Sequence, residues 1–189
     1  CNFRDCCDES IQDAVCSNGV VYGTNPITYT HTSCSTSTGF CGCFTGDTLV
    51  TMADNTTKKI STLKVGDRVR GKSGINRVLK IPVRETSQTL YGFNGSSAFA
   101  TGGHPFYTSG GWKAFDPSLT PEEFHDVDTT PLAIGDSLVV DDGSEFKVTS
   151  ITTETPPEPV KVYNPVVDGD HTYFADHKLV HNKVWEDCN

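Results

Sequence analysis

Two short motifs recur along this chain, in the same order and about 70 residues apart. LKVGDRV at residues 63–69 matches LAIGDSL at residues 132–138, and GHPFY at residues 103–107 matches DHTYF at residues 170–174. Coincidence is a poor explanation for two matches with nearly the same separation, and two copies are too few for a solenoid. The repeat therefore predicts a duplicated β unit with pseudo-two-fold symmetry.

Short runs of β-forming residues, separated by Gly, Asp and Pro, fill the chain from residue 43 onward. Runs of this length between turn-forming residues predict an all-β fold. Helix is predicted only as single turns, at residues 58–63 and 120–124, and residues 153–159 are typical of a proline-rich linker between strands. The predicted strands span residues 48–52, 67–70, 78–81, 137–140, 146–151 and 160–163.

Cysteines are concentrated in the first 42 residues, which are also rich in Ser, Thr, Asn and Gly and lack periodicity. Such a density is typical of a disulfide scaffold formed in an oxidising compartment. We therefore expect a small disulfide-rich segment over residues 1–42, a main domain over 43–182 and a tail over 183–189. We also expect an extracellular or cell-surface location, as part of a larger precursor. The candidate disulfide cysteines are Cys1, Cys6, Cys7, Cys16, Cys34 and Cys41.

Composition argues against several classes of function. The net charge is −9 and no cluster of Lys and Arg occurs, whereas a nucleic-acid surface needs a basic patch. No apolar run is long enough for a membrane span. No Cys-x-x-Cys pair with partnering histidines is present, so we expect no metal site.

Three segments resemble the Hint domain, the module shared by Hedgehog autoprocessing domains and inteins. CFTGDTLV at residues 43–50 resembles its opening block, and TGGHPF at residues 101–106 resembles its internal Thr-x-x-His block. Residues 162–182, from VYN to VHN, resemble its closing blocks. The resemblance covers about three quarters of the chain and fits a bacterial-intein-like or a Hedgehog-like variant. It implies an all-β Hint fold that acts on its own flanking peptide segments without a cofactor.

The resemblance implies acyl transfer at the Gly42–Cys43 peptide bond. The Cys43 thiol would attack the Gly42 carbonyl and convert an amide into a thioester. An amide is a poor acyl donor unless its nitrogen is protonated as it leaves, and a positioned histidine supplies that proton. His104 is the candidate for this role, and Thr101 is the candidate that hydrogen-bonds the scissile peptide. The final acyl acceptor would be water, a thiol or an amine.

The resemblance implies a second reaction at the other end of the domain. Asn182 would cyclise onto its own carbonyl and break the bond to Lys183, with His181 polarising that carbonyl. His171 either assists this step or is a structural histidine. Complete splicing needs Cys, Ser or Thr directly after the asparagine, so Lys183 predicts separate cleavages instead.

Asn164 is a further departure from the family pattern. Many Hint domains carry an aspartate at this position, and its carboxylate is thought to help activate the nucleophile. An asparagine amide forms hydrogen bonds but cannot accept a proton.

Several alternatives stay open at this point. Cys43 could be a further scaffold cysteine bonded to Cys188, or it could form a bridge with Cys41 that locks the nucleophile until reduction. The departures at Asn164 and Lys183 also allow a Hint fold that no longer reacts and serves as a structural module in a secreted or cell-surface assembly. An amine from a partner would instead make the reaction a crosslink.

Overall fold

The main domain consists almost entirely of short β-strands, which confirms the predicted all-β class. The computed structural model describes residues 42–120 and 127–182, so the candidate disulfide cysteines, most of the turn predicted at residues 120–124, and the tail lie outside the described residues. Two single 3₁₀ turns, Ile60–Thr62 and Pro117–Leu119, are the only helices of the described part, and neither is long enough to cross a bilayer. Its strands are β1 (Phe44–Thr45), β2 (Leu49–Thr51), β3 (Thr57–Lys59), β4 (Arg68–Arg70), β5 (Ile75–Lys80), β6 (Val83–Thr86), β7 (Leu90–Phe93), β8 (Ala100–Thr101), β9 (Phe106–Thr108), β10 (Gly111–Ala114), β11 (Thr130–Pro131), β12 (Ser137–Val139), β13 (Glu145–Lys147), β14 (Ile151–Glu154), β15 (Val160–Tyr163), β16 (Val166–Val167), β17 (Thr172–Ala175) and β18 (Lys178–His181).

The strands pair into three sheets. The first has the order β14-β7-β8-β1-β15-β6, and the third, small sheet has the order β16-β5-β4. The second follows the path β11-β10-β9-β18-β17-β2-β3, with β12 on β9 and β13 on β12. The first and the last described strands are therefore both central in their sheets. Central position explains why Cys43, just before β1, and Asn182, just after β18, are 3% and 0% exposed.

Strand β5 shows why these sequences form half-buried strands. Its residues alternate between exposed and buried, so Asn76 and Val78 face the interior while Ile75 and Arg77 face solvent. Successive side chains of a strand point to opposite faces, and this alternation fixes the register of β5.

The core is built largely from aromatic rings. Phe44 stacks on Phe99 with 5.8 Å between ring centroids, and Phe93 meets Phe106 edge to face at 5.3 Å. All four side chains are at most 5% exposed. Full burial of one such side chain contributes about 1.5–3 kcal/mol. The residue that follows the candidate nucleophile is therefore part of the centre of the core.

The internal repeat predicted from the sequence is present in the backbone. Gly66 and Gly135 occupy the same place in the two copies and have φ values of 92° and 101°, which favour glycine. The N–H of each glycine donates at 2.8 Å to the carbonyl of a valine, Val78 in the first copy and Val148 in the second. Each half thus closes the same turn with the same hydrogen bond.

The aspartate after each of these glycines repeats as well. Asp67 accepts a hydrogen bond from the Lys58 ammonium at 2.6 Å, and Asp136 accepts one from Lys113 at 2.7 Å. These ion pairs are partly shielded from water, with side chains 19–31% exposed. The two halves therefore share polar contacts as well as backbone geometry.

The single strand predicted over residues 146–151 is wrong. The structure has β13 and β14 there, separated by three residues that do not extend either strand. The N–H groups of Thr149 and Ser150 donate to Asn94 Oδ1 at 2.7 and 3.1 Å. Because these two N–H groups bind the Asn94 side chain, they do not pair with a neighbouring strand. The hydrophobic pattern of residues 146–151 does not reveal this contact.

Candidate active site

Cys43 lies at the entry to the first sheet. The next residue, Phe44, pairs with Tyr163 of β15 on one side and with Ala100 of β8 on the other. The Cys43 side chain is buried and its thiol is free. Cys41 and Cys188, the partners considered for a bridge, lie outside the described residues. Gly42, the other half of the predicted scissile bond, is buried as well.

Thr101 holds the backbone of the candidate nucleophile. The Cys43 N–H donates to Thr101 Oγ1 at 2.8 Å, and the Thr101 hydroxyl is 3.3 Å from the Cys43 carbonyl oxygen. The Thr101 N–H donates to the same carbonyl at 3.0 Å. Because Thr101 is itself 2% exposed, water does not compete for these contacts. The predicted contact between Thr101 and the Gly42–Cys43 peptide is thus present.

His104 lies in the loop between β8 and β9, and its side chain is fully buried. Its ring centroid is 4.0 Å from that of Phe44. Burial lowers the pKa of its imidazole from 6.5 to about 3, although hydrogen bonding to the backbone of Gly42 and of His181 favours the protonated form. Burial therefore keeps His104 neutral at physiological pH. Its imidazole lies near Gly42 at one end of the domain and near His181 at the other.

His181 and Asn182 form the closing end of the site. His181 Nδ1 is 2.7 Å from the Asn182 carbonyl oxygen, so Nδ1 must carry the hydrogen of this contact. Trp112 packs edge to face on the His181 ring, with 5.2 Å between centroids, and limits its motion. The Asn182 side chain is fully buried. This arrangement suits polarisation of the Asn182 carbonyl.

His171 contributes to the same end through its backbone. Its carbonyl oxygen accepts the Asn182 N–H at 2.8 Å, and its own φ is 57°. Its Nδ1 is 3.1 Å from the Val167 carbonyl oxygen, while its ring centroid is 6.4 Å from that of His181. His171 therefore positions Asn182 directly, and its ring lies near the closing end.

Asn164 lies at the end of β15 that faces Cys43. The register Phe44 to Tyr163, continued by one residue, puts Asn164 opposite Cys43. Its side chain is 5% exposed, and its Oδ1 has no hydrogen-bond partner among the described residues. The register therefore places an asparagine, whose amide cannot accept a proton, opposite the candidate nucleophile.

Sequence motifs far apart in the chain therefore converge. Cys43 and Thr101 share hydrogen bonds, and His104 interacts with the backbone on both sides, at Gly42 and at His181. Lys183 lies outside the described residues. Across residues 42–120 and 127–182, no group of His, Cys, Asp and Glu side chains could hold a metal ion. Sequence patterns give no sign of one buried polar group, the hydroxyl of Tyr173, because tyrosine in an apolar strand is typical of the core.

Solved structures of inteins and of an intein-like domain resemble the fold of this chain. The chain is similar in structure to a bacterial intein-like domain from Clostridium thermocellum, with 29% identity, a TM-score of 0.59, and coverage of 75% of this chain and 99% of that one. It is similar to the gp41-1 intein, with 23% identity, a TM-score of 0.57 and coverage of 75% and 99%. It is similar to a DnaB intein from Synechocystis sp. PCC 6803, with 21% identity, a TM-score of 0.55 and coverage of 76% and 100%.

A family model described as Vint, a Hint domain, matches residues 42–185. No curated protein matches the chain significantly in sequence. The family match covers the candidate site and most of the chain, and together with the intein-like fold it supports autoprocessing in general. On this evidence, the chain belongs to the Hint-domain family.

Proposed function

We propose that this chain processes itself by an N–S acyl shift at the Gly42–Cys43 bond. The surroundings of that one peptide bond carry the proposal. Its N–H donates to Thr101 Oγ1 at 2.8 Å, and the residue that supplies its carbonyl interacts with His104. The nucleophile belongs to the same bond, since Cys43 contributes both the nitrogen and the thiol. A nucleophile, a proton carrier and a hydroxyl anchor thus meet at one buried amide.

The neutral state of His104 determines the direction of proton transfer. Burial keeps the imidazole neutral near pH 7, but a histidine with a pKa of about 3 is a weak base, so it accepts the proton of the Cys43 thiol only at a free-energy cost. The sulfur attacks the carbonyl carbon of Gly42, and the bond from that carbon to the Cys43 nitrogen breaks. The imidazolium returns its proton to this nitrogen. One C–S bond replaces one C–N bond, so the step needs no outside reagent.

Asn164 limits the ways in which this proton can travel. It lies opposite Cys43, yet its amide cannot act as a base. Both proton transfers therefore fall to His104. This predicts slower processing than a carboxylate in the same place would allow.

The thioester is then resolved by an acceptor of one of three kinds. Water or a small thiol releases residues 1–42, whereas an amine from a partner makes a crosslink. The cysteine-rich composition of residues 1–42 favours an extracellular or cell-surface setting within a larger precursor.

The closing end carries out a separate reaction in this proposal. His181 polarises the Asn182 carbonyl through its 2.7 Å contact. The Asn182 side-chain nitrogen attacks that carbonyl carbon, the bond to the Lys183 nitrogen breaks, and a succinimide and a free amine result. Because Lys183 offers no hydroxyl or thiol to receive an acyl group, the two cleavages proceed independently.

Intact mass spectrometry of the full chain, with and without dithiothreitol, tests the proposal. We expect thiol-dependent cleavage between Gly42 and Cys43 and loss of the tail after Asn182. Cys43→Ala should abolish the first cleavage, and Asn182→Ala should abolish only the second. Cys188→Ala, which also removes one thiol, is the matched control and should cleave normally.

The contrary result is a single unchanged mass over days in dithiothreitol. If alkylation then shows Cys43 to be unmodified and free, the domain is a structural module that no longer reacts.

A further inference from the structure

Strand β5 buries a side-chain amide, that of Asn76, at a position where the other half of the domain has an apolar residue. Asn76 is 4% exposed and pairs with Val69 of β4. In the second copy of the repeat, Leu138 is the counterpart of Val69 and pairs with Phe146, which packs against the core. The fold therefore does not require an amide here. Because burial of a polar group costs free energy, its presence calls for another explanation.

The Asn76 amide binds the residues on both sides of His171. Its Nδ2 donates to Asp170 Oδ1 at 2.6 Å and to the Thr172 carbonyl oxygen at 2.8 Å. Its Oδ1 packs against the backbone of Gly169, where a Cβ would collide with it. The amide is therefore held in one orientation, and through it β5 fixes the turn that contains His171.

The Asp170 carboxylate extends this network to the turn between β4 and β5. It accepts the Ser73 N–H at 2.7 Å and the Thr172 hydroxyl at 2.8 Å, and the Thr172 hydroxyl oxygen accepts the Lys72 N–H at 2.8 Å. Partial burial favours the neutral acid, but hydrogen bonds from Asn76, Thr172 and Ser73 outweigh it and lower the pKa of Asp170. The carboxylate is thus ionised at neutral pH, and hydrogen bonds to a charged acceptor are strong.

The turn that this network fixes carries the contact that orients Asn182. The φ of His171 is 57°, a conformation that costs a non-glycine residue free energy and persists only where its surroundings impose it. In this conformation the His171 carbonyl oxygen accepts the Asn182 N–H at 2.8 Å. A continuous set of hydrogen bonds and one peptide turn therefore links the Asn76 amide to the residue at the closing end.

We propose that Asn76 is a positioning residue for the cleavage after Asn182, because its amide holds the His171 turn in the conformation that orients Asn182 for cyclisation. The inference rests on the closing-end reaction proposed above. Asn76 acts only through His171, and no proton or bond of the reaction passes through its side chain. Attack of the Asn182 side-chain nitrogen on its own carbonyl depends on orientation, so a small displacement of the backbone slows it.

Asn76→Leu tests this role, because it replaces the amide by an apolar group of similar shape. Intact mass spectrometry gives the rate of tail loss in a Cys43→Ala background and the rate of thiol-induced cleavage at Cys43 in an Asn182→Ala background. We expect tail loss to be about 10- to 100-fold slower, since a misplacement of about 1 Å can cost about 100-fold. Cleavage at Cys43 should stay within twofold of the parent rate. Asp170→Ala should have the same selective effect, and Asp170→Asn, which keeps one oxygen towards Asn76, should restore part of the rate.

The ratio of the two rates separates positioning from general stabilisation. Asn94→Ala is the matched control, because it removes another side-chain amide that binds backbone groups, at residues 147–150. It should lower the unfolding midpoint and leave the ratio unchanged. Tail loss within twofold of the parent rate in both Asn76→Leu and Asp170→Ala overturns the inference and leaves the closing-end reaction intact. Equal slowing of both cleavages also overturns it and assigns Asn76 a general structural role.

Hydrogen exchange of the Asn182 amide tests the positioning even if the parent chain keeps its tail. Such a chain would refute the closing-end reaction itself. The Asn182 N–H, which the His171 carbonyl protects, should then still exchange at least tenfold faster in Asn76→Leu than in the parent. An unchanged exchange rate in a folded Asn76→Leu chain overturns the positioning role.

Discussion

Protonation of His104 should destabilise the domain strongly in mild acid. In the unfolded chain this histidine has an ordinary pKa near 6.5, whereas in the folded domain burial lowers the pKa to about 3. Between these values the unfolded state binds a proton that the folded state excludes. Stability from this group is therefore complete above pH 6.5 and is lost as the pH falls towards 3. Linkage gives a loss of about 2 kcal/mol between pH 7 and pH 5.

The measurement compares two chains at several pH values. The reference is Cys43→Ala, which prevents the acyl shift, and the variant carries His104→Gln in addition. Urea unfolding followed by tryptophan fluorescence gives the free energy of unfolding at each pH. Because Gln does not titrate, the variant should lose about 2 kcal/mol less than the reference between pH 7 and pH 5. Other titrating groups, including nearby His181, are shared by both chains and cancel in the comparison.

Two comparisons between the chains decide whether burial holds His104 neutral. Equal dependence of the unfolding free energy on urea concentration would show that both chains expose the same surface. If both chains lose the same stability between pH 7 and pH 5, His104 is not held neutral by burial. That result would refute the low pKa of His104, whereas proton transfer through an imidazole with an ordinary pKa would remain possible.

Two further predictions concern contacts that the structure describes directly. Thr101→Val should slow cleavage at Cys43 and lower the free energy of unfolding by about 1–3 kcal/mol, since it leaves the buried Cys43 N–H without an acceptor. Mass spectrometry and urea unfolding measure the two effects, and Thr101→Ser, which keeps the hydroxyl, should restore most of both. Asp67→Asn and Asp136→Asn should each destabilise the domain by about 1–2 kcal/mol in urea unfolding, with the larger loss at the less exposed Asp136. A neutral result for either aspartate would mean that the paired lysine gives no net stabilisation.

Much of the fold could be predicted from the sequence, because hydrophobic runs and turn residues are local signals. The repeat that contains Gly66 and Gly135 predicted a duplicated β unit, and the structure has the same turn at both glycines. The break between β13 and β14 could not be predicted, since it depends on the side chain of Asn94, more than 50 residues away along the chain. Short strands such as β1 and β8 were also missed, because two residues carry no periodicity.

The site shows the same division between local and distant information. The resemblance to Hint domains implied Cys43, His104 and His181 as candidates, and the fold brings their segments together. The backbone contribution of His171 depends on a turn with positive φ, which residue type alone did not decide. Tyr173 lies in an apolar strand and is buried, as that pattern indicates. Its hydroxyl has no hydrogen-bond partner among the described residues, and only atomic positions reveal an absence of this kind.

The buried polar groups around Cys43 affect the stability of the domain in different ways. Thr101, His104, Asn164 and Asn182 are all at most 5% exposed, close to a core rich in aromatic rings. Thr101 satisfies a buried N–H, but Asn164 Oδ1 has no hydrogen-bond partner among the described residues, so an apolar residue of similar size at position 164 should increase stability. If the reaction were no longer needed, substitutions that replace such buried polar groups by apolar ones could accumulate and make the domain more stable. Buried polar groups that persist at the centre of the domain are therefore what the proposed self-processing predicts.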